Sequence, residues 1–155
     1  MHLTIQCAKV VQPAPDADIL RWLNLAIQAE LNPQKKTGST SASLTKQATI
    51  TVRFVGSKES QLLNQQYRNK DYATNVLTFA YSVAPLHADL VLCTPVLRRE
   101  AKEQGKHVVD HFAHLLIHGA LHARGFDHET RADANLMEAL EINLLKRLGI
   151  ANPYT

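Results

Sequence analysis

Six of the eight histidines fall between positions 107 and 128. The stretch reads His107-Val-Val-Asp-His111-Phe-Ala-His114-Leu-Leu-Ile-His118-Gly-Ala-Leu-His122-Ala-Arg-Gly125-Phe-Asp-His128. Wound at about 100° per residue, it sets His111, His114, His118 and His122 on one stripe. Phe112, Ala113, Leu116, Ile117 and Ala120 spread over the other side, which therefore faces a core. Two imidazoles four residues apart lie one above the other and can meet on a single metal ion. His118 and His122 are such a pair. His114 lies about 12 Å along the axis from His122, whereas zinc–nitrogen bonds are only about 2.0–2.1 Å. The third ligand must come from a chain that turns back. Gly125 tolerates the positive φ of a helix end, and His128, three residues on, can return to the ion. H-x-x-x-H-x-x-G-x-x-H is thus a three-ligand device whose fourth position is left for water, as in catalytic sites. His107 and His111 read as exposed or helix-edge residues. His114 reads equally as a support behind the ligands or as a substrate contact. Asp127 can hydrogen-bond an imidazole or cap the turn.

Metallopeptidases with this spacing carry Glu directly after the first His, as general base to the metal-bound water. Here that position is Gly119. A metal can still lower the pKa of bound water toward about 7 without that base. The pattern therefore points away from peptides and toward a substrate whose transition state needs positive charge, such as a phosphodiester. A metallohydrolase acting on another substrate, and a protein without catalysis whose metal is structural, remain open on these residues alone. Arg68 has two readings: a cation at a helix C-terminus, favourable with the dipole, or a guanidinium fork for phosphate oxygens.

The elements that must carry these groups alternate along the chain. Residues 3–8, 48–55, 75–81 and 88–93 read as strands. In the second, Ile50, Val52 and Phe54 face one way and Thr49, Thr51 and Arg53 the other. Helices are expected over 16–31, 57–68 with Ser57 as cap, 95–105 opened by Pro95, 107–123, and 130–149. The last has a capping-box pattern, Thr130-Arg-Ala-Asp133, and stops at Gly149. Residues 32–47 are polar and turn-rich and read as a mobile loop. The expectation is one α+β domain over 1–155: a mixed sheet of about four strands, about five helices, and the metal site on a central helix and the loop after it.

Composition narrows the class. At 155 residues the chain suits one core, and 45% hydrophobic with 20% charged residues is ordinary globular usage. A net charge of +3 suits nucleic acid without requiring it. Lys35, Lys36, Arg98, Arg99, Lys102 and Lys106 could attract RNA, although charge runs are usually solvated faces. Cys7 and Cys93 lie in apolar runs, where free thiols are commonly buried, and form no C-x-x-C. The first residues do not read as a signal peptide, and no apolar stretch approaches the roughly 20 residues of a membrane span. A cytoplasmic protein is expected.

His118-Gly-Ala-Leu-His122-Ala-Arg-Gly125-Phe-Asp-His128 resembles the signature H-G-x-L-H-L-x-G-Y-D-H of the YbeY family of bacterial endoribonucleases. Asn64-Gln-Gln-Tyr67-Arg68-Asn-Lys-Asp71-Tyr-Ala-Thr74-Asn75-Val-Leu77-Thr-Phe79 is similar to the family's L-N-x-x-Y-R-x-K-D-x-P-T-[DN]-V-L-S-F, and Ala88-Asp89-Leu-Val-Leu-Cys93 to its G-D-I-x-I-C. The ending Asn152-Pro153-Tyr154 matches as well, so the likeness spans roughly residues 50–154. Ala73, Thr78, Ala88, Ala123 and Phe126 depart from the pattern, but none removes a ligand or a charge. The resemblance implies an enzyme with one Zn2+ on His118, His122 and His128 and a functional Arg68. It would cut single-stranded RNA in ribosomal RNA maturation, notably at the 3′ end of the small-subunit RNA, and serve ribosome quality control. Its implied partners are the small ribosomal subunit and assembly proteins, not a membrane or DNA.

Overall fold

The structure, a computed structural model, describes residues 1–30, 47–126 and 129–155. In chain order it contains β1 (His2–Cys7), α1 (Asp16–Gln28), β2 (Thr49–Val55), α2 (Ser57–Arg68), β3 (Val76–Val83), β4 (Leu86–Cys93), α3 (Thr94–Glu103), α4 (Val108–Ala123) and α5 (Arg131–Arg147). The strands form one sheet in the order β1-β2-β4-β3. β1, β2 and β4 run parallel, and β3 is antiparallel at the edge beside β4. Among the described residues this is the expected α+β arrangement of four strands and five helices. The loop expected at 32–47 falls, but for Gln47, outside the described residues.

The alternation in β2 and β4 puts a core on each side of the sheet. Ile50, Val52, Phe54, Leu86, Ala88, Leu90 and Leu92 face the larger one, with the buried sides of α1 and α4. Val55, Leu77, Val91 and Cys93 face a smaller one, against which Leu63 of α2 packs. Phe112 of α4 ties the larger core together, its ring 5.6 Å from Trp22 of α1 and 5.5 Å from Phe54 of β2. α4 is central: it touches α1, α3, α5, β3 and β4.

Helix ends follow local chemistry. Thr130 caps α5, its hydroxyl accepting from the Asp133 N–H at 3.1 Å. The cap of α2 is Gly56, not the expected Ser57, which is already the first helical residue. α1 stops at Gln28, short of the expected 31. Its last carbonyls are taken by another element: Arg124, just after α4, donates to the Ala26 and Ala29 oxygens at 2.7 and 2.8 Å. Cys93 is buried as expected, whereas Cys7 is exposed at the end of edge strand β1. Among the described residues no helix is long and apolar enough to cross a membrane.

Candidate active site

α4 ends where the motif requires. Gly125 adopts φ +97° and its N–H donates to the His122 carbonyl at 2.9 Å, while Phe126 N–H reaches back to the Leu121 carbonyl. This left-handed stop ends the helical path three residues after His122. His118 and His122 stand side by side, ring centroids 5.0 Å apart. Both line a cleft of about 720 Å³ between α4 and edge strand β3. Arg68 and Lys70 are the cations that line it among the described residues. His128 and Asp127 lie outside the described residues.

Arg68 is the last residue of α2, and its guanidinium donates to the Thr78 carbonyl of β3 at 3.0 Å. Asn69 then closes the helix in the left-handed region. Two buried polar residues of α2 hold the loop that leads into β3. The Ser60 hydroxyl donates to the Thr74 carbonyl and accepts from the Thr74 N–H, both at 2.9 Å, and the Asn64 amide donates to the Tyr72 carbonyl at 2.8 Å. Asn64 and Thr74, conspicuous in the sequence beside Arg68, are therefore supports of the cleft wall. Asn75 continues it: its amide donates to Glu100 of α3 at 3.0 Å.

His111 is buried, 4% exposed, and not the edge residue expected. Its Nε2 meets the same Glu100 at 3.2 Å. Burial lowers its pKa, against the opposing pull of the Glu100 hydrogen bond. The pair locks α3 to α4 behind the cleft.

Glu141, absent from the sequence-based site, lies beneath the histidine stripe. It belongs to α5, where Met137, Leu144 and Leu145 share its buried side, and it is itself 0% exposed. Its carboxylate accepts from His118 Nδ1 at 2.5 Å, from His114 Nε2 at 2.9 Å, and from the Tyr154 hydroxyl. Burial pushes this carboxyl up, but the hydrogen bonds from His114 and His118, the nearby His118 charge and the Tyr154 bond outweigh it and hold it down at about 2. Tyr154 in turn is raised, by burial and then by Glu141. An ionised carboxylate only accepts, so both histidines present N–H groups to it. His114 is thus a brace on Glu141 that also lines the cleft. The visible signal for Glu141 was an acid in the apolar register of an amphipathic helix.

One ligand atom from each of His114, His118 and Glu141 lies within 4.8 Å of the others, so this group could hold a metal ion. The donor set along the stripe, imidazoles backed by a carboxylate, suits a borderline-soft divalent ion such as zinc.

Gly119 accounts for the missing base. A Cβ there would meet Leu90 Cδ2 and Thr78 Oγ1 at 3.3 Å and Val76 Cγ2 at 3.4 Å. The space that a catalytic carboxylate would need after His118 is filled by the sheet.

The family model described as Endoribonuclease YbeY matches residues 17–149. This chain belongs to the YbeY family. Relatives named Endoribonuclease YbeY include one from Albidiferax ferrireducens, 48% identical over 99% of this chain and 97% of its own length. Another, from Verminephrobacter eiseniae, is 61% identical over 72% of this chain and 73% of its own. The fold is similar to that in the solution structure of TM1509 from Thermotoga maritima, with a TM-score of 0.55 at 20% identity, covering 95% of this chain and 91% of that one.

Proposed function

We propose that this YbeY-family chain is a zinc-dependent endoribonuclease that cuts single-stranded RNA in the cytoplasm. Its role would be ribosomal RNA maturation, notably at the 3′ end of the small-subunit RNA, and ribosome quality control, alongside the small subunit and its assembly proteins. One observation carries the chemical part: a single cleft holds the histidine pair of α4 opposite Arg68. His118, His122 and His128 would hold the ion, which supplies Lewis-acid charge and an acidified water when bound. Arg68 would hold the scissile phosphate. Its bond to the Thr78 carbonyl fixes the guanidinium at the strand edge, and a guanidinium has five N–H donors, enough to spare some for phosphate oxygens. Tyr72 and Tyr154 line the same cleft and are 54% and 44% exposed, offering ring faces to unpaired bases. A duplex keeps its bases stacked inside and cannot use such faces, which favours a single-stranded substrate.

The test is cleavage of a single-stranded RNA by the purified protein, with bound zinc measured, beside His118→Ala and Arg68→Ala. His118→Ala should lose zinc and cleavage together. Arg68→Ala should keep zinc and fold but cut about 100–1000-fold more slowly, the usual cost of removing one group that stabilises transition-state charge. Equal cutting by all three preparations would refute the enzymatic reading and favour a ribosome-assembly factor without catalysis.

A further inference from the structure

We infer that Glu141 is a positioning residue for the metal face of α4: it receives the Nδ1 proton of His118 as a hydrogen bond and thereby assigns Nε2 of that ring to the ion. The inference rests on the zinc reading above and deepens it.

Three observations carry it. First, the contacts are hydrogen-bond contacts, not ligand spacings. Two atoms sharing a tetrahedral zinc at bonds of about 2.0–2.1 Å stand roughly 3.3 Å apart. The Glu141 oxygens lie 2.5 Å from His118 Nδ1 and 2.9 Å from His114 Nε2, inside that separation. The trio is packed as a carboxylate with two imidazoles resting on it. Second, packing alone does not call for an acid there. Met137, Leu144 and Leu145 surround it on α5, and an apolar residue in such a position commonly stabilises a fold at least as well as a buried charge. What the carboxylate adds is orientation and basicity of the imidazoles, the role carboxylates play behind ligating histidines. Third, the charge is fully satisfied. One oxygen takes His118, and the other takes His114 and the Tyr154 hydroxyl. His114 and the C-terminal tail therefore brace Glu141, and through it His118.

The experiment is zinc affinity by chelator competition, with one Co2+ absorption spectrum per variant, on wild type, Glu141→Gln, Tyr154→Phe and His118→Ala. Glu141→Gln should still bind one ion but about 10–100-fold more weakly. Tyr154→Phe should lose about fivefold, the value of one hydrogen bond. His118→Ala should not bind. In metal-free wild type, histidine 15N shifts should show His118 as the Nδ1–H tautomer, a readout that a merely structural role would not move. Folded Glu141→Gln with affinity within about twofold of wild type overturns the inference. So does complete loss of the ion with a changed Co2+ spectrum, which would make Glu141 a ligand. If Glu141→Gln does not fold, Glu141→Asp draws the carboxylate back by one methylene and should show the same weakening. If wild type binds no zinc while all variants fold, the zinc reading itself fails first.

Discussion

Replacing Gly119 by Glu would restore, on paper, the general base of a metallopeptidase directly after His118. The structure says that it would instead unseat α4. Two effects oppose each other at this position. A glycine in a helix interior costs up to about 1 kcal/mol relative to alanine, so any side chain gains something in propensity. Against that, the added Cβ would press on Leu90, Thr78 and Val76 at 3.3–3.4 Å. Leu90 is fully buried in the larger core and has no room to retreat. Overpacking of this kind costs about 1–3 kcal/mol, so Gly119→Ala should lose roughly 0–2 kcal/mol net. Glutamate adds the burial of a carboxylate against a face where the Thr78 hydroxyl is the one polar atom among the three contacts, several kcal/mol more. The total, at least about 4 kcal/mol, is a large part of the roughly 5–15 kcal/mol that stabilises a domain. Thermal unfolding of metal-free protein should show a Tm drop of a few degrees for Gly119→Ala and of more than about 10 °C for Gly119→Glu. Neither variant should cleave peptides. A Gly119→Glu protein with wild-type Tm would refute the seating of α4 on the sheet at this residue. Peptidase activity in it would refute the account of why the base is missing.

Arg124 sits inside the histidine motif, yet its bonds to Ala26 and Ala29 make it a cap of α1. Arg124→Ala should cost about 3 kcal/mol, roughly 6–12 °C in Tm, with zinc affinity little changed; unaltered Tm with lost affinity would move it into the site. The metal-free protein should also lose stability in acid through Glu141. Its carboxyl is held at about 2 against 4.5 unperturbed, so the contribution is complete above about 4.5 and disappears as pH falls toward 2. A shift of that size corresponds to about 3 kcal/mol, and urea unfolding across this window should show the loss in wild type but not in Glu141→Gln. Parallel curves for the two proteins would show that the carboxylate is not held by the histidines.

How much of this was legible in the sequence depended on whether the signal was local. The histidine stripe, the stop at Gly125 and the Thr130 cap are decided by residues within a turn or two, and each appears as expected. Among the described residues so do the nine elements, with ends displaced by up to three residues; α1 ends where Arg124 takes its last carbonyls. Glu141 was missed because its partners His118 and His114 are 23 and 27 residues away, on another helix. Only its position among Met137, Leu144 and Leu145 hinted at burial. His111 was misread for the same reason: its partner Glu100 belongs to α3, and nothing within α4 announces it. The place of β3 at the sheet edge was likewise invisible, since period-2 patterning gives a strand's faces but not its neighbours.

That edge position explains why the sheet and the histidine helix must come so close. The cleft has two walls, α4 with its imidazoles and β3 with the Thr78 carbonyl that anchors Arg68. Their separation is set where Gly119 lets the helix settle onto Val76 and Thr78 themselves. Thr78, which helps to fix the gap, is thus also the residue that holds the cation on its far side. Any side chain at position 119 would push α4 outward by a few tenths of an ångström against Arg68, which stays with β3. Were the two walls to act on one phosphodiester as proposed, cleavage would be sensitive to misplacement on that scale and upward, about 100-fold for 1 Å. The small residue directly after the first histidine is therefore better understood as a spacer that sets the gap between imidazoles and guanidinium than as the scar of a lost base.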